Sequence, residues 1–180
     1  MKVIAVIGSP HPEGPSARLV KEIVRGAKDA GHEVVIYNIK DMNFKGCQGC
    51  GYCKNGGGDC ILKDDLKPYW KDLHECGALI VSAPNYASNV SGDMITFMNR
   101  HYCLLDGDWK LKLHEGIKLI GVFSQGSPDA DAYRDNYKWF LGDFENRGMI
   151  LQDTLIHTGG MSDSSESAMA RRAYALGKNL

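Results

Sequence analysis

The chain has 180 residues, 21 Lys and Arg against 22 Asp and Glu, and a formal net charge of −1. That length suits one domain able to bury a core without staples, spanning 1–180, and the even charge balance offers no basic field for nucleic acid or an anionic surface. The opening apolar run is too short for a secretory signal, and no run approaches the roughly 20 apolar residues of a spanning helix, so a soluble, cytoplasmic protein without membrane insertion is expected.

"KVIAVIG" is a continuous Val- and Ile-rich run ending at a turn, as expected of a strand buried on both faces. Residues 16–30 space Leu19, Val20, Ile23, Val24 and Ala27 at helical intervals and stop at Gly31. "EVVIYNI" reads as a second strand. "DDLKPYWKDLHECG" reads as a helix starting near Asp64 or Asp65, with Pro68 in its first turn. "ALIVSAP" predicts a third strand, "GDMITFMNRHYCLL" a helix, and "IKLIGVFSQG" a fourth strand. Residues 131–147 predict a helix, "MILQDTLIH" a fifth strand and "SSESAMARRAYALGKNL" a closing helix. Residues 102–116 are the least regular, fitting a helix extension followed by a loop at a subunit contact.

Strands alternating with helices call for an α/β fold, a doubly wound parallel sheet with helices on both faces. Five strands in this pattern suit the flavodoxin-like order 2-1-3-4-5, whose ligand site lies beyond the carboxyl ends of strands one and three. Three loops fall there. "GSPHPEGPSARL" (8–19) offers Ser9, His11 and Ser16 as donors beside a helix N-terminus, where amides and dipole favour a phosphate monoester. The plainer alternative is a polar turn with Ser16 as an N-cap. "APNYASNVSG" (83–92) follows the third strand, with Pro84 and small residues favouring an extended path. Asn85 and Asn89 supply amide partners and Tyr86 a flat face, suited to a planar heteroaromatic ring, with Ser91 able to cap the next helix. "SQGSPDADAY" follows the fourth strand on the same side.

Between them, residues 44–65 form a cysteine-rich insertion in which Cys47, Cys50, Cys53 and Cys60 are spaced C-x2-C-x2-C-x6-C. Where thiols stay reduced, such density favours metal or redox chemistry over structural disulfides. Three thiols on one tight loop and a fourth across a glycine bend can reach a single [4Fe–4S] cubane. Zinc and metal-free thiols are the alternatives, although zinc sites more often come as two separated C-x2-C knuckles. Cys76 and Cys103 read as ordinary buried thiols.

"GSPHPEGPSARLV", "CQGCGYCKNGGGDCILKDDL" and "APNYASNVSGDMITFMNRH", in that order, resemble the NAD(P)H-dependent FMN reductases, and within them most closely the iron–sulfur flavoproteins. The resemblance implies a flavodoxin-like fold, FMN at the switch point, and reduction by a nicotinamide nucleotide with onward transfer to an unidentified acceptor. It implies that Ser9, His11, Ser16 and Ala17 face the FMN phosphate. Pro84, Asn85, Tyr86, Asn89, Val90 and Ser91 would line the isoalloxazine, with Ser124 and Gly126 closing it. The chain departs from the family pattern at His11, where Arg is frequent, and at Pro128, Asp129 and Ala130, where glycines are. A homodimer or homotetramer is implied too, for which Trp109, Tyr133, Tyr137, Trp139 and Phe140 are candidate surface aromatics. The chemistry belongs to the flavin, so no protein nucleophile or acid–base dyad is expected. Arg100 and His101 have a further role at the site or, the preferred reading, pair with a helix C-terminus. The rival classes are an electron-transfer protein serving a ferredoxin-like partner and a zinc-knotted module with no catalytic role.

Overall fold

The computed structural model describes residues 1–180. Its strands are β1 (Lys2–Ile7), β2 (Glu33–Asn38), β3 (Cys76–Tyr86), β4 (Asn89–Val90), β5 (Lys118–Ser124) and β6 (Ile150–His157). Its helices are α1 (Pro15–Asp29), α2 (Lys67–Glu75), α3 (Gly92–Arg100), α4 (Arg134–Glu145) and α5 (Asp163–Lys178). The long strands pair in parallel in the order β2-β1-β3-β5-β6, the expected five-stranded flavodoxin-like arrangement. β4 is the one strand the sequence pattern did not announce, and it pairs antiparallel with the end of β3.

Successive strand side chains point to opposite faces, so the sheet supports two cores. On one face α1 and α5 cover Val3, Ala5, Ala78, Ile80, Ile120 and Val122. The two helices approach at Gly26 and Gly177, where an added Cβ would lie 2.1 Å from the Tyr174 carbonyl and 1.9 Å from that of Ile23. The other face packs Ile4, Val6, Leu79, Val81, Leu119 and Phe123 against the aromatic side of α2, α3 and α4.

Four boundaries and one surface differ from expectation. α2 begins at Lys67, because Asp64 closes a turn first, accepting the Leu66 N–H on its carboxylate (3.2 Å) and the Lys67 N–H on its carbonyl (3.0 Å). Pro68 still falls in the first turn. The helix after β4 stops at Arg100 and tightens into a 3-10 turn over His101–Leu104. Hydrogen-bonded turns at Asp129–Arg134 delay α4 to Arg134, and β3 runs past Pro84 to Tyr86. Tyr137 and Phe140 are buried, so the aromatic surface shrinks to Trp109 and Trp139 with a half-buried Tyr133. Periodicity alone does not say which side of α4 meets the sheet.

Candidate functional site

Register brings three strand ends into one row. Ile7 lies beside Ser82, Pro84 beside Ser124, and Ser124 beside His157. The Gly8 N–H donates to the Ser82 carbonyl (3.0 Å), fixing where the first loop leaves the sheet. An added Cβ at Gly8 would lie 2.4 Å from that carbonyl and 2.3 Å from the Met94 side chain. Only a glycine leaves the loop room to pass.

The first loop ends in an uncapped helix. Gly14 is the N-cap and has no side chain to satisfy the first turn; Pro15 follows at the start, and no acidic residue occupies that turn. Ser16 is therefore inside α1, not its N-cap. The backbone N–H groups of Ser16 and Ala17 find no backbone carbonyl, and the Ser16 hydroxyl is fully buried without a partner. Three donors thus converge at the positive end of a helix dipole. Ser9 is different: its Oγ donates to the His11 carbonyl (3.0 Å) and accepts the His11 N–H (3.2 Å), shaping the turn. The His11 residue is exposed at the loop's tip.

The second loop is a tight hairpin where an extended path was expected. Asn85 pairs with Val90 and Tyr86 with Asn89, so Ala87 and Ser88 alone make the turn, both at positive φ (50° and 63°). The Ser91 N–H donates to the Pro84 carbonyl (3.1 Å), and Asn89 Oδ1 accepts the Val90 N–H (2.8 Å). Tyr86 is 49 % exposed. Asn85 Nδ2 lies near the Tyr137 hydroxyl without closing a hydrogen bond to it, and the buried Ser91 hydroxyl also lacks a partner. Ser91 precedes α3 but makes no side-chain cap.

In the third loop Gln125 does the organising. Its N–H donates to the His157 carbonyl (2.9 Å), its side chain to the Asp129 carbonyl (2.6 Å), and it accepts from Tyr137 (2.9 Å). Ser124 is half-buried, and the space over Gly126 is open. The structure thus brings Ser16, Ala17, Asn85, Tyr86, Ser91, Ser124 and Gly126 to the carboxyl edge of one sheet. Clefts of comparable size to one another lie elsewhere, about 330 Å³ between α1 and α5, about 340 Å³ between α4 and β6, and about 360 Å³ beside α2.

The cysteine segment closes a second site. A small cavity of about 20 Å³ is lined by Cys47, Cys50, Cys53 and Cys60, together with Arg100 and Cys103. Cys53 is buried and Cys60 half-buried, while Cys47 and Cys50 are exposed on a loop in which Gly49 and Gly51 take positive φ (63° and 73°). No three thiols gather as ligands of a single ion. Cys103 faces the same cavity, but burial pushes its thiol up to about 12, leaving it protonated. The segment is held down by residues with no local sequence signal. Lys112 Nζ donates to the carbonyls of Cys53 (2.8 Å), Gly58 (3.0 Å) and Gly57 (3.3 Å). Lys54 Nζ reaches the carbonyls of Leu105 (2.6 Å) and Tyr102 (2.9 Å). Residues 101–112 therefore clamp the insertion.

Arg100 does not make the expected pairing with the end of α3; its side chain turns back to Asp64 and the Lys45 carbonyl. His101 is fully buried. Its Nδ1 lies 3.1 Å from the Phe97 carbonyl, which can only accept, so Nδ1 carries the proton and Nε2 accepts from the Tyr69 hydroxyl (2.7 Å). The ring therefore belongs to the core as a neutral group, and not to the charged pairing with a helix C-terminus that was the preferred expectation for it.

The profile of the NADPH-dependent FMN reductase family matches residues 1–132. An iron–sulfur flavoprotein of Methanocaldococcus jannaschii is 34 % identical over 129 residues, 72 % of this chain and 66 % of that protein. One from Archaeoglobus fulgidus is 32 % identical, over 62 % of this chain and 54 % of its own length. The chain thus spans between half and two thirds of these relatives. Among solved structures, the NAD(P)H:quinone oxidoreductase of Methanothermobacter marburgensis superposes with a TM-score of 0.75 at 17 % identity, covering 99 % of this chain and 95 % of that one, a likeness of fold.

Proposed function

Since this chain belongs to the NADPH-dependent FMN reductase family, we propose that it is a flavoprotein oxidoreductase. It binds FMN along the carboxyl edge of β1, β3 and β5 and moves electrons from a nicotinamide nucleotide to an acceptor. One observation carries the binding site. Of the six buried side-chain polar atoms without partners, three, on Ser16 in the first turn of α1, Asn85 at the end of β3 and Ser91 before α3, lie beside the two loops flanking the switch point. Buried donors and acceptors left unpaired are costly, so their clustering beside two adjacent loops marks a place shaped for a polar ligand.

Bound FMN supplies hydride acceptance and onward electron transfer. The chain's own residues place it. The Ser16 and Ala17 amides and the Ser16 hydroxyl are poised for the phosphate, with the positive end of α1 behind them and His11 at the rim. The 85–90 hairpin presents Asn85 to the edge and Tyr86 to the face of a planar ring, Pro84 forms the floor beside Ser124, and Gly126 leaves the far side open. Asn89 and Val90 stiffen the hairpin.

A second reading adds a relay, since four thiols around one cavity form the donor set of a [4Fe–4S] cluster. A zinc site draws its sulfurs to within about 2.3 Å of one point, whereas a cubane spreads them over separate irons. The run of three thiols on one loop, C-x2-C-x2-C, with the fourth lining the same cavity, is the pattern that favours the latter. In that form Cys47, Cys50, Cys53 and Cys60 would hold the cluster, which would supply one-electron chemistry toward a ferredoxin-like partner.

Titration of the flavin-free chain with FMN tests the main reading. Quenching of flavin fluorescence at a stoichiometry of one is expected, followed by anaerobic bleaching of the bound flavin on adding NADH or NADPH. A folded chain that binds no FMN sinks it.

A further inference from the structure

The cysteine cavity has one charged side chain in its wall that the four-thiol motif does not include. Arg100, at the carboxyl end of α3, has a fully buried side chain. Its Nη1 donates to Asp64 Oδ2 (2.5 Å) and to the Lys45 carbonyl (2.8 Å), and its Nη2 to Asp64 Oδ1 (3.3 Å). Nε is buried too and has no hydrogen-bond partner. Cys60 and Arg100 line the cavity together.

A buried charge is tolerated when its partners saturate it, and a purely structural Arg–Asp pair gives no reason for leaving one donor of the fork unused. The cavity supplies that reason. Four cysteine thiolates give a site an excess of negative charge over the cluster they hold. Hydrogen bonds to the sulfurs and nearby charge are the protein's means of retaining such a centre and setting its potential. The free Nε belongs to the same planar fork that Asp64 and the Lys45 carbonyl hold in place, so it is pre-organised at the cavity wall.

We propose that Arg100 is a positioning residue of the cysteine site, its Nε donating to the Cys60 sulfur when that site holds an iron–sulfur cluster. This rests on the reading of Cys47, Cys50, Cys53 and Cys60 as cluster ligands. The contact anchors the fourth ligand, which the chain brings in from across the glycine bend at 56–58. The positive charge favours the reduced cluster, and Asp64 keeps the fork in register.

The test is anaerobic reconstitution of the full, FMN-loaded chain with ferrous iron and sulfide, comparing wild type, Arg100→Gln, Arg100→Lys and Asp64→Asn. Iron and sulfide per chain, the rate of iron loss to a ferrous chelator and the cluster's midpoint potential are read, with flavin content and circular dichroism as separate measures of the fold. Arg100→Gln is expected to lose iron about 10-fold faster, in the range usual for groups behind metal ligands, and to have a more negative midpoint. Arg100→Lys restores the midpoint more fully than the retention, because it returns the charge without the fork. Should Arg100→Gln not fold, Arg100→Lys and Asp64→Asn decide. A wild type that takes up the cluster, with all folded variants matching it in retention and midpoint, overturns the role of Arg100 alone. A wild type that binds FMN but assembles no cluster overturns the cluster reading and this proposal together, leaving the flavin site standing.

Discussion

At the residue scale, Ser16 and His101 are both buried polar groups with opposite meanings. His101 has satisfied both ring nitrogens, and burial first, with Arg147 and Arg100 adding like charge, holds its pKa at about 3. Its folded value lies below the ordinary 6.5, so the unfolded chain binds the extra proton between those limits. Stability from this group is complete above about pH 6.5 and is lost as pH falls toward 3. Between pH 7 and 5 the loss is about 2 kcal/mol. His101→Gln, which keeps an acceptor for Tyr69, should flatten that part of the urea-midpoint against pH curve. An unchanged slope would show that other groups carry it. Ser16 is unsatisfied, so its truncation should give the reverse of a core mutation. Ser16→Ala is expected to leave the flavin-free chain as stable or slightly more so, while weakening FMN binding about 10-fold, the value of one charge-assisted hydrogen bond. Fluorescence titration beside urea unfolding reads both. A variant that loses stability and keeps its affinity would return Ser16 to the core.

At the element scale, the 85–90 hairpin is where local preference yields to the site. A two-residue turn of this hand needs positive φ at both central positions, for which Asn-Gly is the favoured pair. This chain has Ala87 and Ser88 there. The left-handed region costs an L-residue about 1–2 kcal/mol, and such strain persists where surrounding structure imposes it. Ser88→Gly is therefore expected to raise stability by about 0.5–1 kcal/mol, part of the relief being offset by greater freedom in the unfolded chain. Ser88→Val should lower it by at least about 1 kcal/mol and weaken FMN binding by tilting Asn85 and Tyr86. Urea midpoints and flavin titrations on the pair check this, and equal midpoints would mean that the turn is unstrained. The hairpin also shows what the sequence makes legible. Buried runs such as 2–8 and 117–126, and the 3.6-residue spacing of α1, announce the sheet order and hence the edge where loops 8–19 and 83–92 meet. "NYASNV" contains no Gly or Pro at its turn, so nothing marks it as a hairpin. The clamp on the cysteines was equally silent: Arg100 and Asp64 are 36 residues apart, and Lys112 and the Cys53 carbonyl 59. Contacts of that span are set by the folded sheet, which no local pattern encodes.

At the scale of the whole molecule, α3 joins the two candidate sites. Ser91 stands at its amino end in the candidate flavin crevice and Arg100 at its carboxyl end in the cysteine cavity. Nine helical residues at about 1.5 Å each separate them by roughly 13 Å. Neither site borrows a residue from the other: the crevice is built from strand ends and their loops, the cavity from the 44–65 insertion and its clamp. A molecule so arranged should take up its two groups independently while a rigid helix keeps them at fixed separation. FMN at about 100-fold over its dissociation constant should then stabilise the chain by about 2.7 kcal/mol, or roughly 5–10 °C in Tm for a domain of this size. Cys60→Ser should lose the ability to hold iron and sulfide yet show the same FMN-induced rise, whereas Ser16→Ala should show a smaller rise at the same FMN concentration with its iron uptake intact. Scanning calorimetry with and without FMN, on chains reconstituted with iron and sulfide or left untreated, separates the two. If Cys60→Ser also abolishes the FMN shift, the insertion is part of the flavin site's own architecture, and α3 transmits structure as well as distance.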